Sequence, residues 1–419
     1  MGKHVQIMAD HRSKLLVCVF LVLTTQTLSE LTDKINITYV NSAVEKGAVC
    51  LDGTPPAYYH SVGFGDGADN WLVYLEGGAW CNSTETCLER VKIKWLASTS
   101  TRPAIRYVSG IFTVNQTFNQ AFYNWNKVII VYCDGASFTG DVEEVDPTTN
   151  LHYRGARIFR AVIDDLLAKG MKNAKNAVLT GSSAGGLATI LNCDRFRSLV
   201  PHATRVKCIS DSGFFIHSKN MPGANEREAY FTQVAELHGM AKALPQSCAS
   251  KMNPGLCLFP EYVIKDMQTP LFILDSLFDL YQIKEMLAPF VGGCKEQWDD
   301  CTTNLTLCTS SQLQIMKDHR TAFLETLQEV ESPSLGIFVH TCFLHTHVLD
   351  KDGWRCSFVA RNVLAKKTIE EAIDDWYYDR SSFQQIDTYT TVPRNCTVSR
   401  DNDIMNQRCL HPKHVHPMY

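Results

Sequence analysis

Beyond residue 29, the 419-residue chain has no apolar run long enough to span a bilayer. It has no basic excess either: 40 Lys and Arg stand against 44 Asp and Glu, a formal net charge of −4, and nothing in that balance suits a nucleic-acid binder. Internal repeats and low-complexity tracts are missing, which excludes a solenoid and argues against a disordered scaffold. No cysteine pair has the tight C-x-x-C spacing of a structural zinc site, and no linker rich in Pro, Gly or Ser divides the chain. With 45% hydrophobic residues, the length is ample for one sizeable core.

Cysteine, by contrast, is plentiful, with sixteen in all. Lys3, Arg12 and Lys14 precede the apolar run 15–23, and small and polar residues follow to Ser29; that order reads as a secretory signal over residues 1–29. Losing its three positive charges and one negative charge takes the net charge from −4 to −6. Cys18 lies in the signal, and the remaining fifteen cysteines suit an oxidising route in which disulfides staple loops. Expected local pairs are Cys81 with Cys87 and one within Cys294, Cys301 and Cys308. The odd count leaves one thiol, for which Cys193 is the candidate, buried and inert. Sequons at Asn36, Asn82, Asn115, Asn304 and Asn395 are candidate glycosylation sites in the same compartment. The expected organisation is a signal over 1–29, one folded domain over 30–395 and a tail over 396–419. The product is secreted and has no stable membrane association after signal removal.

Apolar runs of strand length occur at 71–75, 126–133, 177–180, 206–210, 270–274 and 335–339, and helical spacing at 155–169 and 310–330. Strand and helix in alternation predict an α/β fold of the α/β-hydrolase kind, with a mainly parallel sheet covered by helices on both faces. Residues 220–260 read as helical with a cysteine-bearing loop, forming a cap beside the site, and the glycine-bearing loop 134–141 reads as a cleft lining. The densest signal is Gly181-Ser182-Ser183-Ala184-Gly185 between a strand and a helix, the context of a nucleophile elbow, with Ser183 at its centre. Ser182 is expected to turn inward as a hydrogen-bonded hydroxyl.

A serine hydroxyl needs a base to take its proton, and the base needs an acid to fix its tautomer. Asp275 and Asp279 follow the strand ending at Leu274, and His340, His345 and His347 follow the strand ending at Val339. Position alone leaves both choices open. Gly77 and Gly78, after an early strand, suit half of an oxyanion hole. His345 and His347 lack a carboxylate partner for a metal, so no metal or other cofactor is expected. The histidines of the tail, His411, His414 and His416, read as solvated.

At longer range the sequence resembles the plant-type pectin acetylesterases, a family related to the animal Notum carboxylesterases. The likeness runs through Gly47-Ala-Val-Cys-Leu-Asp-Gly-Thr-Pro-Pro, Asn70-Trp-Leu-Val-Tyr-Leu-Glu-Gly-Gly, Tyr132-Cys-Asp-Gly-Ala-Ser-Phe-Thr-Gly-Asp and Gly181-Ser-Ser-Ala-Gly-Gly-Leu. The resemblance implies ester hydrolysis by a metal-free triad, with the nucleophile at Ser183, the acid at Asp279 and the base at His345. It also implies oxyanion donors at Gly78, Ala79 and Ala184. The chain departs from that pattern at Ser182, where Cys is usual, at Ala79, where a third Gly is usual, and at Thr346-His347, where Cys-Gln is usual. The implied activity is removal of acetyl esters from homogalacturonan in the cell wall, so acetylated pectin or a related polysaccharide is the expected partner. Two rivals are removal of a longer acyl chain from a lipid or lipidated protein, and a catalytically silent wall-binding protein. An acidic enzyme repels a polyanionic substrate at long range, so a local basic strip is expected along the cleft.

Overall fold

The computed structural model describes residues 33–291, 295–350, 353–354, 367–388 and 390–396. The expected signal, the tail beyond Cys396, and Cys294, Cys356 and Cys409 lie outside the described residues.

The core is a ten-stranded sheet in the order β10-β9-β8-β7-β6-β3-β5-β2-β1-β4. Seven strands form a parallel ladder: β3 (Asn70–Leu75), β5 (Asn126–Ile130), β6 (Asn176–Ser182), β7 (Arg205–Asp211), β8 (Leu271–Ser276), β9 (Gly336–His340) and β10 (Gln384–Ile386). The remaining strands, β1 (Asp33–Tyr39), β2 (Ala57–Ser61) and β4 (Ile105–Val108), extend one edge in antiparallel fashion. The parallel strands read as unbroken apolar runs because both faces are covered: every residue of β3, β5, β8 and β9 is buried. Each of Val128, Ile129 and Ile130 is wholly buried, a transfer of about 1.5–3 kcal/mol per side chain.

The flanking helices include α1 (Thr84–Lys92), α2 (Gly155–Ala168), α3 (Ala184–Leu199), α4 (Ala224–Leu237), α5 (Ser310–Val330) and α6 (Ile369–Tyr377). Helix α2 stops where Gly170 takes φ +119°, and α5 starts from a reciprocal Thr309–Gln312 capping box. The sheet covers every strand anticipated from the apolar runs, but β5 is shorter than 126–133. Val131, Tyr132 and Cys133 stay buried after the ladder ends, so burial outlasts pairing there.

Six disulfides join Cys50–Cys133, Cys81–Cys87, Cys193–Cys208, Cys248–Cys257, Cys301–Cys308 and Cys342–Cys396. Both local pairs agree with expectation, whereas Cys193 is not a free thiol. It sits on α3 facing Cys208 of the adjacent β7, with Cα atoms 6.1 Å apart, a neighbour that sequence order does not reveal. Among the described residues no helix is long and apolar enough to cross a membrane.

Candidate active site

The registers align the carboxyl ends of the central strands: Ser182 pairs with Asp211, Asp211 with Leu274, and Asp275 with Val339. β3 lies between β5 and β6, where the strand order turns back, and crevices in open α/β sheets form at such a point. Ser183 sits between β6 and α3 with φ +60° and ψ −129°, a strained geometry for a residue with a side chain. Its glycine neighbours are forced by packing. A Cβ on Gly181 would lie 2.3 Å from the Gly185 carbonyl oxygen, and one on Gly185 would lie 2.1 Å from that of Leu75. Both obstacles are backbone and cannot yield.

Asp279, fully buried, accepts from His345 Nδ1 at 2.7 Å through Oδ2 and from the Gln282 N–H at 2.9 Å through Oδ1. The His345 ring stacks on Tyr281, with centroids 5.3 Å apart, and among the described residues its Nε2 has no hydrogen-bond partner. Ser183 and His345 line the same cavity, of about 620 Å³. Burial alone would lower the His345 pKa. The Asp279 carboxylate, its hydrogen bond and the more distant Asp211 outweigh burial and raise it. Asp275, by contrast, accepts from the backbone N–H groups of Ser276 and Phe214, and burial and the neighbouring Asp279 push its pKa well up. Two adjacent carboxyl groups are thus set apart, and Asp279 is the one that reaches the imidazole.

Gly78 and Ala79 hold φ of +147° and +55°, so alanine here occupies backbone that glycine adopts freely. Arg90 Nη1 donates to the Gly78 carbonyl at 2.6 Å and Tyr132 Oη to that of Ala79 at 2.8 Å. Because a trans peptide points N–H opposite to C=O, anchoring the Gly78 carbonyl fixes the direction of the Ala79 N–H. Ala184, first in α3, has an N–H without an intrahelical acceptor, and Ser137 Oγ holds its carbonyl at 2.8 Å. Loop 134–141 therefore lies buried beneath the site instead of lining the cleft, with Ser137 also accepting from Trp80 Nε1 at 2.7 Å. Residues 220–260 lie beside the site and contribute nothing to the wall of this cavity: Tyr230 Oη donates to the Trp80 carbonyl at 3.4 Å, and Tyr230 lines a neighbouring pocket that shares Tyr281. α4 packs Phe231 against the buried side of Trp80, and the exposed wall comes from residues 94–106 and 345–349.

A second cluster escapes a reading of the sequence. The Asp211 carboxylate accepts from Ser182 Oγ (2.5 Å), His347 Nδ1 (2.5 Å), His347 N (2.9 Å) and Val348 N (3.1 Å), while its backbone carbonyl accepts from Ser183 N (2.9 Å). His347 Nε2 lies 2.7 Å from His340 Nε2, and His340 Nδ1 accepts from the Cys342 N–H at 3.1 Å. That last bond settles the protons: His340 carries hydrogen on Nε2 and donates to His347, which carries hydrogen on Nδ1 and donates to Asp211. Burial, then the neighbouring ring and Arg394, pushes the His340 pKa well down, in keeping with a neutral His340. Burial would raise the Asp211 pKa, but His347 and the Ser182 hydroxyl hold it below the usual range. Ser182 and His347, two of the departures from the family pattern, thus meet on one carboxylate.

The expected basic strip takes the form of Arg102 and Arg106 in the cavity wall, both paired with Glu76. Cys81, Cys87 and His238 lie close enough to hold a metal, but both sulfurs are in a disulfide and offer no thiolate. Of the sequon residues, Asn36, Asn304 and Asn395 are exposed, and Asn82 and Asn115 half-buried.

The family model for pectinacetylesterase matches residues 28–399. Pectin acetylesterase 7 of Arabidopsis thaliana is 45% identical over 376 residues, covering 90% of this chain and 94% of its own. Pectin acetylesterase 11 of the same plant is 46% identical over 352 residues, covering 84% and 89%. Among solved structures, the Wnt deacylase Notum from Drosophila shares the fold with a TM-score of 0.71 at 24% identity, over 86% of this chain and 98% of that one. Matched along nearly its whole length by the family model and by both plant relatives, the chain belongs to the pectinacetylesterase family.

Proposed function

We propose that this protein is a secreted serine esterase that removes acetyl groups from pectin in the cell wall. What carries the reading is the pairing of His345 with buried Asp279 in the cavity that Ser183 lines, its Nε2 unengaged. Ser183 Oγ attacks the acetyl carbonyl as its proton passes to His345 Nε2, and Asp279 holds the tautomer and the resulting imidazolium. The N–H groups of Gly78, Ala79 and Ala184 receive the oxyanion. As the C–O bond to the sugar breaks, His345 protonates the departing sugar oxygen, which leaves as a hydroxyl. The acetyl-enzyme is hydrolysed by water that gives its proton to the same nitrogen.

Acetate release from acetylated homogalacturonan, compared with acetylated xylan, tests the proposal. Ser183→Ala should abolish release with the fold intact, and retained activity would refute the assignment. The size of the cavity, with Tyr74, Leu96 and Leu349 in its wall, favours one second reading, a longer acyl group. Rates on nitrophenyl esters that rise steadily from acetate to longer chains would replace the first reading with the second.

A further inference from the structure

We infer that Arg106 and Trp95 form a subsite for one uronate ring of an anionic polysaccharide, with the carboxylate on the guanidinium and the ring face on the indole. The inference rests on the esterase reading above and names the part of the polymer that the same cavity grips.

Arg102, Arg106 and Glu76 are the cavity wall's Arg, Lys, Asp and Glu side chains. Two guanidinium groups against one carboxylate leave a local surplus of positive charge in a chain whose overall charge is −4. The two arginines are not equivalent. Arg102 has both terminal nitrogens engaged: it pairs with Glu76 and donates through Nη2 to the Trp95 carbonyl at 2.7 Å and the Tyr132 carbonyl at 3.3 Å, while its Nε is buried away from the cavity's solvent and the side chain is 11% exposed. Arg106 spends Nη1 on Glu76, its side chain makes no other hydrogen bond among the described residues, its guanidinium carbon lies 5.7 Å from the Tyr59 ring centroid, and it is 27% exposed. A guanidinium has five N–H donors in a planar fork, so Arg106 keeps donors for a second carboxylate. Glu76 meanwhile fixes its position, with Oε2 held by the Tyr132 N–H at 3.1 Å.

Trp95 lines the cavity yet is 55% exposed, an unusual placement for the largest apolar side chain. It stands on the short turn Lys94–Leu96, whose carbonyl at Trp95 is the one Arg102 holds. The arginine whose terminal nitrogens are taken therefore braces the aromatic platform, and the more exposed arginine keeps terminal donors in the cavity wall. An acetyl group fills little of about 620 Å³, a volume in the range of sites that enclose a whole small ligand, so a sugar ring fits beside the acyl group. A neutral polysaccharide can use the indole but offers nothing to Arg106.

The test compares kcat/KM of the full secreted chain on acetylated homogalacturonan, acetylated xylan and 4-nitrophenyl acetate. Arg106→Gln should lower the ratio of pectin to nitrophenyl acetate activity about tenfold, the order of one charge-assisted hydrogen bond, mostly through KM. The xylan ratio should stay level, and added salt should weaken the wild type on pectin more than the variant. Arg106→Lys, which keeps the charge but loses the fork, should fall between them and covers the case in which the glutamine variant does not fold. Trp95→Ala should lower both polymer ratios. An unchanged pectin ratio in folded Arg106→Gln overturns the subsite while leaving the esterase reading standing. Wild-type protein that cleaves nitrophenyl acetate but not pectin refutes the pectin reading, and the subsite with it.

Discussion

Replacing Asp279 with asparagine sets a problem that one amide cannot solve. The carboxylate accepts on both oxygens, from His345 Nδ1 at 2.7 Å and from the Gln282 N–H at 2.9 Å. Asparagine has one acceptor oxygen and one NH₂. If the oxygen keeps the backbone bond, the NH₂ faces Nδ1, and neutral His345 must carry its proton on Nε2, the nitrogen that should receive the serine proton. If the oxygen keeps the imidazole, the Gln282 N–H is left in a buried place facing another donor, at about 1–3 kcal/mol. The first arrangement avoids that penalty and is expected to dominate. An acid-to-amide change that inverts the tautomer costs about 10⁴ in kcat in a serine protease, or about 5.5 kcal/mol at 1.36 kcal/mol per decade. Steady-state hydrolysis of 4-nitrophenyl acetate measures the loss, with the denaturant midpoint and near-ultraviolet dichroism as controls on folding. Asp275→Asn serves as comparison: its oxygens serve backbone N–H groups, so its loss should fall on stability far more than on kcat. A folded Asp279→Asn enzyme within about tenfold of wild type would refute this account of the acid.

With His345 as the proposed base, its raised pKa sets the acid limb of kcat/KM. The base must be neutral to act, so activity should fall as pH drops through a midpoint above the ordinary histidine value of about 6.5, and a pH–rate profile with its limb below that value would contradict the site's electrostatics. Asp211→Asn confronts four donors with a single acceptor oxygen and should cost about 3–5 kcal/mol, read as a lower denaturant midpoint at unchanged slope. Because the native Asp211 pKa is depressed, its contribution is present above the unfolded carboxyl pKa and lost as pH falls through the native one. Wild type should therefore lose more stability on acidification than the variant, and equal losses would count against an ionised Asp211.

The sheet was legible because its parallel strands are buried on both faces and stand out as apolar runs between helical stretches. The elbow was legible because backbone crowding leaves only glycine at 181 and 185. Choosing Asp279 over Asp275, and His345 over its two neighbours, needed the family likeness: all five lie within a few residues of strand ends, and only packing turns one imidazole towards one carboxylate. Asp211 gave no signal, since its partners stand 29 and 136 positions away and it ends an ordinary strand. Cys193 was misread for the same reason, its partner being a neighbour in the sheet. Trp95 and the two arginines come from a stretch without periodicity, so the polyanionic substrate implied by the resemblance, set against an acidic chain, pointed to a basic strip but not to its place.

Asp211 grips Ser183 through its main chain and the segment after His345 through its side chain, so one residue sets the spacing of the proposed nucleophile and base. The wall grown from residues 94–106 shares none of those bonds. It is tied instead to the segment of Gly78 and Ala79, because Arg90 donates to the Leu96 carbonyl at 3.2 Å and to the Gly78 carbonyl at 2.6 Å, so a wall rebuilt for a different polymer has to leave that guanidinium where it stands.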